Sequence, residues 1–88
     1  MTKHELKSWP EYFEPIFNNI KRFELRKNDR NFQVGDIIWL REWDKDNGYT
    51  GRSCKRRVTY MLEGIQDTSQ PYWGLDQGYA ILSLEDWA

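Results

Sequence analysis

Residues 19–30 read Asn19-Ile20-Lys21-Arg22-Phe23-Glu24-Leu25-Arg26-Lys27-Asn28-Asp29-Arg30, and the reading of this stretch decides the fold. Taken as a strand, Phe23 to Lys27 alternates, so Phe23 and Leu25 point one way and Glu24 and Arg26 the other. The apolar pair is expected to pin the strand against the core. The charged pair is then held on the opposite face, with Lys21 leaning over it from just before the strand. Same-face residues two apart sit roughly 6.5–7 Å apart, within reach of a Glu–Arg ion pair. The alternative is an ordinary solvated face, since exposed ion pairs contribute little.

Outward from this stretch, residues 3–7 alternate and predict a first strand with Leu6 buried. Pro10 favours a helix start, and Phe13, Ile16, Phe17 and Ile20 recur at helical spacing. Pro15 interrupts that pattern, because a proline inside a helix removes a hydrogen bond and clashes with the preceding turn. Two short pieces, or a loop and then a helix from about Glu14 to Ile20, are expected. Asn28 to Asn31 is rich in turn formers. Gly35-Asp36 opens the strongest strand, Ile37 to Trp43, apolar on both faces. Asn47-Gly48 signals a hairpin. Arg57 to Leu62 follows, with Val58, Tyr60 and Leu62 expected on one face, and Tyr79 to Leu84 closes the sheet. Residues 64–77 read as a loop that exposes Tyr72 and Trp73.

Eighty-eight residues make a single domain, residues 1–88. A chain this short buries only about 60–65% of its unfolded surface, so core volume must come from large side chains. Fourteen aromatics (five Trp, five Tyr, four Phe) supply it. A mean hydropathy of −0.91 with 31% charged residues describes a polar skin. No apolar run approaches the ~20 residues of a membrane span, and no secretory leader opens the chain, so a cytoplasmic location and no membrane partner are expected. One cysteine and one histidine exclude a disulfide framework and make a zinc site from this chain alone implausible. Arg52, Lys55, Arg56 and Arg57 would lower the Cys54 thiol pKa if they surround it. His4 has no partner at any readable spacing and reads as a strand residue bonded at its edge.

A net charge of −1 conceals segregation. Residues 21–30 carry five bases against two acids, and residues 52–57 carry four bases and no acid. Residues 58–88 carry five acids and no base. Local clusters matter more to polyanion binding than the total, because phosphate contacts are local.

The pattern Lys-x-x-Glu-x-Arg at Lys21, Glu24 and Arg26 resembles the signature of ASCH domains, members of the PUA-like superfamily. Asn19 stands where that signature has Gly, and Asn tolerates left-handed backbone better than most residues. The resemblance is closer still to DUF3850 domains, described as PUA-like and RNA-binding. It is carried by His4–Lys7, Pro10–Phe13, Phe23–Arg30, Val34–Asp36, Tyr49–Arg52 and Gly78–Leu82 and runs nearly end to end. It implies an α+β fold: a small mixed PUA-like β-barrel of about five strands, with one or two short helices near the N-terminus.

It also implies a nucleic-acid-binding module, with RNA or a nucleotide-like ligand as partner. Lys21, Glu24, Arg26, Asn28, Asp29 and Arg30 would form the cleft, and Tyr49 and Arg52 an opposing wall. Lys and Arg would hold phosphate and an aromatic face would stack on an unpaired base. The alternative function is that of a small hydrolase, since some ASCH proteins resemble amidohydrolases that strip an acyl group from a cytosine amine. In that branch a Lys works with a hydroxyl residue three positions on and a distant Glu. Lys21 matches, but Glu24 occupies the hydroxyl position, and an ion-paired lysine is a poor nucleophile. If the chain is an enzyme, Lys21 and Glu24 are the catalytic candidates. A third reading is a protein-interaction module using Trp43, Trp73 and Trp87. No cofactor or metal is implied, and a monomer is expected.

Overall fold

A computed structural model describes residues 1–64 and 74–87. Its elements are β1 (Lys3–Ser8), α1 (Pro10–Phe17), β2 (Phe23–Lys27), β3 (Ile37–Asp44), β4 (Gly48–Glu63) and β5 (Tyr79–Asp86). The strands form one sheet in the order β1-β3-β4-β5-β2, curled into a half-barrel. β1 runs parallel to β3, and the other neighbouring pairs are antiparallel. The core fills the inside of the curl: Leu6 from β1, Ile38 and Leu40 from β3, Val58 from β4 and Leu82 and Leu84 from β5. Phe13 and Ile16 of α1 and Phe32 from the β2–β3 connection pack against them.

The helix is one continuous piece, with Pro15 inside it, rather than two pieces or a late start. Eight residues are too few for a stable isolated helix, so packing of the fully buried Phe13 and Ile16 holds it. Pro10 occupies the first turn, where its missing N–H costs nothing. The chain leaves the helix through Asn19, whose φ of 61° is left-handed, and the Pro15 carbonyl accepts from both Ile20 and Lys21 N–H. That exit turns Ile20 out of the expected apolar stripe to 79% exposure. It also places Lys21 at the mouth of the curl.

The two long strands depart from simple alternation at bulges. β4 is 16 residues long, absorbing the 48–56 stretch that the hairpin signal only opened. Opposite Glu42 its register with β3 shifts, and Gly51 there takes a φ of 94° that other residues rarely adopt. A second shift lies between Val58 and Tyr60. A bulge puts two consecutive residues on the same side. Val58 is therefore buried, Tyr60 and Leu62 face outward, and Met61 packs on the core, which corrects the expected Val58-Tyr60-Leu62 face.

The alternation of β2 is as read, but its inside and outside are reversed. Glu24 is 4% exposed, whereas Phe23 and Leu25 are 46% and 52% exposed. Register explains the reversal. Glu24 pairs with Leu82 and must share the core face that Leu82 occupies, while Phe23 and Leu25 pair with Ser83 and Ile81 on the outer face.

Candidate functional site

Curling brings the two edge strands, β1 and β2, within side-chain reach of each other. No backbone ladder joins them; arginines bridge the seam. Arg26 Nη2 donates to the Lys7 carbonyl at 2.6 Å, and Arg30 Nη1 donates to the Glu5 carbonyl at 3.0 Å. Both carbonyls lie on the free edge of β1, where they would otherwise lack partners.

On one side of this bridge lies a cavity of about 680 Å³ between the end of β1, the start of α1 and β2. The buried Glu24 carboxylate lines it. Arg26 Nε donates to Glu24 Oε2 at 2.7 Å, and Lys21 Nζ stands 3.9 Å from Oε1. Burying a carboxylate is costly unless it is paired and hydrogen-bonded, and these two cations meet that demand. Lys21 Nζ also lies 5.7 Å from the Tyr12 ring and 5.1 Å from the Phe23 ring, in cation–π range. Trp9, Tyr12 and Phe23 line the same cavity and keep about half their surface in solvent. Ser8 lines it too, and its buried Oγ has no hydrogen-bond partner. Ser8 was not anticipated, although it is the third inward position of an alternating strand, after His4 and Leu6.

Beyond the Arg26 bridge is a second cavity of about 480 Å³, lined by Lys7, Lys27, Asp29, Arg30 and Tyr49. Tyr49 lines this second cavity and not the one that holds Lys21 and Glu24, with the Arg41 guanidinium 3.9 Å from its ring centroid. Asn28 is occupied structurally. Its amide donates to Glu63 Oε1 at 3.0 Å and its carbonyl oxygen accepts from Phe32 N–H at 3.0 Å, so it brackets the loop.

Arg52 lines neither cavity. It packs over Phe13 and Phe17, pairs with Glu14, and donates Nε and Nη2 to the buried Glu42 at 3.0 and 2.9 Å. Hydrogen bonds to Glu42 and then Glu14 raise the Arg52 pKa. In return, the bonds from Arg52 hold the Glu42 carboxyl below the usual range against burial, with Thr50 Oγ1 also donating at 2.6 Å. Arg56 and Arg57 of the second basic run are spoken for as well, while Lys55 lies over the Trp39 and Trp87 rings. Arg56 donates to the Ile16 carbonyl at the helix end and pairs with Asp86, and Arg57 pairs with Glu85. Alternation accounts for the dispersal, because a basic run along a strand is split between two faces.

One further expectation is corrected, for Cys54, and the hydrogen bond expected of His4 gains a partner that no spacing showed. Cys54 packs against the core, where burial pushes its thiol pKa up, Arg56 pulls against the rise and Glu24 adds to it. His4 has a partner 32 residues away, with Nε2 2.8 Å from Asp36 Oδ2. Trp43 is half-buried beneath Lys7, Trp87 is 42% exposed beside Lys55, and Tyr72 and Trp73 lie outside the described residues. No helix among the described residues is long and apolar enough to cross a membrane, and no three metal-ligating side chains converge there.

The chain is thus a curled five-stranded sheet with one short helix, its seam bridged by Arg26 of β2 and by Arg30 just beyond it. The chain belongs to the family described as domain of unknown function DUF3850, which matches residues 3–84. It is similar to the uncharacterized 12.9 kDa protein in the GpA 3′ region of Escherichia phage P2, 41% identical over 69 residues. The match covers 78% of this chain and 62% of the phage protein, so it spans less than two thirds of that relative's length.

Proposed function

We propose that the chain is an RNA-binding module that accepts an unpaired nucleotide in the Glu24 cavity. The carrying observation is the combination within one cavity: a buried carboxylate flanked by two cations, an unpartnered serine hydroxyl, and three half-exposed aromatic rings. Aromatic faces stack on any base, worth about 1–3 kcal/mol each. The Ser8 hydroxyl and the remaining acceptor capacity of Glu24 can bond polar atoms at the base edge. Lys21 offers charge to the phosphate, while Arg26 holds Glu24 in place. The resemblance of Lys21-x-x-Glu24-x-Arg26 to ASCH and PUA-like domains supports the same reading.

Ser8 also favours a second reading, hydrolysis of an acylated nucleoside amine, because it supplies a hydroxyl in the cavity that holds Lys21 and Glu24. In that reaction water forms the new bond to the acyl carbon and gives a proton to Glu24. Lys21 steadies the oxyanion, the C–N bond breaks, and the amine leaves with the proton returned from Glu24.

Salt-dependent titration of single-stranded RNA, beside hydrolysis of N4-acylated cytidines, separates the two. For a binding module, Glu24→Gln keeps much of the geometry and weakens RNA binding roughly tenfold, the worth of one charge-assisted hydrogen bond of about 1.5 kcal/mol. Wild-type turnover that falls about 10²–10⁴-fold in Glu24→Gln while RNA binding persists would establish the hydrolase instead. Neither binding nor turnover would leave a protein-interaction module.

A further inference from the structure

We infer that the two cavities flanking the Arg26 bridge form one groove that takes at least two consecutive nucleotides of a single strand, the first in the Glu24 cavity and the next phosphate beside Lys27 and Arg30. The inference rests on the RNA-binding reading and extends it to a footprint. The cavities are continuous in their walls, since Lys7, Arg26 and Lys27 line both. Their characters differ: aromatic rings dominate the first, while the second is charged. Within the second, Arg26 is committed to Glu24 and Glu5 to Arg41. Lys7 lies over the Trp43 ring at 4.8 Å, so what remains free to meet a ligand is Lys27 and Arg30 against the single carboxylate of Asp29, an excess of positive charge suited to a phosphodiester. Arg30 spends only Nη1 on the Glu5 carbonyl, leaving its other donors available. Tyr49 closes the far wall at 43% exposure, a surface for a second base. The groove follows the seam between β1 and β2, from the start of α1 toward residues 28–30.

The test is titration of the chain with nucleoside 5′-monophosphates, dinucleotides and tetranucleotides of mixed-sequence RNA, followed by tryptophan fluorescence at several salt concentrations. Affinity is expected to rise at least tenfold from mononucleotide to dinucleotide. The slope of log K against log salt for the tetranucleotide should fall by about 0.7 in Lys27→Ala and again in Arg30→Ala, one phosphate contact each. Arg30→Lys, which keeps the charge, should restore the slope and so exclude misfolding as the cause of its loss. A mononucleotide that binds as tightly as the tetranucleotide would overturn the two-nucleotide groove while leaving the RNA reading intact. So would slopes unchanged by both alanine variants, or an aspartate-rich peptide that binds as well as RNA. Absence of binding at every length would overturn both.

Discussion

Asp36 shows how much one side chain carries in a domain this small. Its carboxylate is bonded to His4 Nε2 and accepts the backbone N–H groups of Thr2 and Gln33, tying the start of β1 to the entrance of β3. Burial opposes its ionisation most strongly, but these hydrogen bonds outweigh burial and the carboxyl sits below its ordinary value of 3.8. A carboxyl whose folded pKa is depressed contributes stability above its unfolded pKa and loses it as the pH falls through the folded one. Asp36→Asn is therefore expected to cost about 1–3 kcal/mol at neutral pH, the range for a buried donor left without its acceptor. Its unfolding midpoint should also fall less steeply below pH 4 than that of the wild type. Chemical denaturation across pH 2–7 measures both. Parallel curves for variant and wild type would show that Asp36 does not drive the acid loss.

At the level of elements, α1 is a helix that its own sequence opposes. Pro15 removes the hydrogen bond that residue 15 would give to Glu11, and the helix survives because Phe13 and Ile16 are buried on one side of it. Interior proline costs about 3 kcal/mol, partly offset by the entropy it removes from the unfolded chain. Pro15→Ala should thus stabilise the protein by about 1–2 kcal/mol, read as a higher thermal midpoint. A lower midpoint would mean that the Pro15 carbonyl needs the proline geometry to receive Ile20 and Lys21 N–H and launch Lys21 toward Glu24. Of the helix, the sequence shows the start at Pro10 and the buried pair. Its continuity through Pro15 is decided by contacts with the sheet that no local rule contains.

Across the whole molecule, the seam decides which charges are available. The basic run 52–57 reads as a polyanion patch only until strand alternation and folding distribute it. Arg52 then joins Glu14 and Glu42, and Arg56 caps the helix end. Arg52→Ala and Arg56→Ala are expected to lower the unfolding midpoint and to leave the salt slope of RNA binding unchanged. A slope reduced by about 0.7 in either variant would return that arginine to the phosphate path. The first basic run behaves differently because it is short as a strand and continues into a turn. Arg26, Lys27 and Arg30 consequently remain beside one another along the seam.

The sequence by itself determined five strands and an early helix, the span of β2 and the Asn47-Gly48 hairpin. Each of these rests on local geometry: alternation, turn chemistry and backbone preference act over a few residues. It also brought Glu24 and Arg26 to one place, because a spacing of two within a strand fixes a shared face, while Lys21 joins them through the exit of the helix. Only the tertiary structure decided that this face is the inner one. That outcome depends on β2 pairing with β5 in the register that sets Glu24 beside Leu82, a contact between residues 58 apart in the chain. The Asp36 partner of His4 and the place of Ser8 in the cavity are tertiary in the same sense. So is the pairing of Arg52 with Glu42, since distant groups meet only after the sheet has curled.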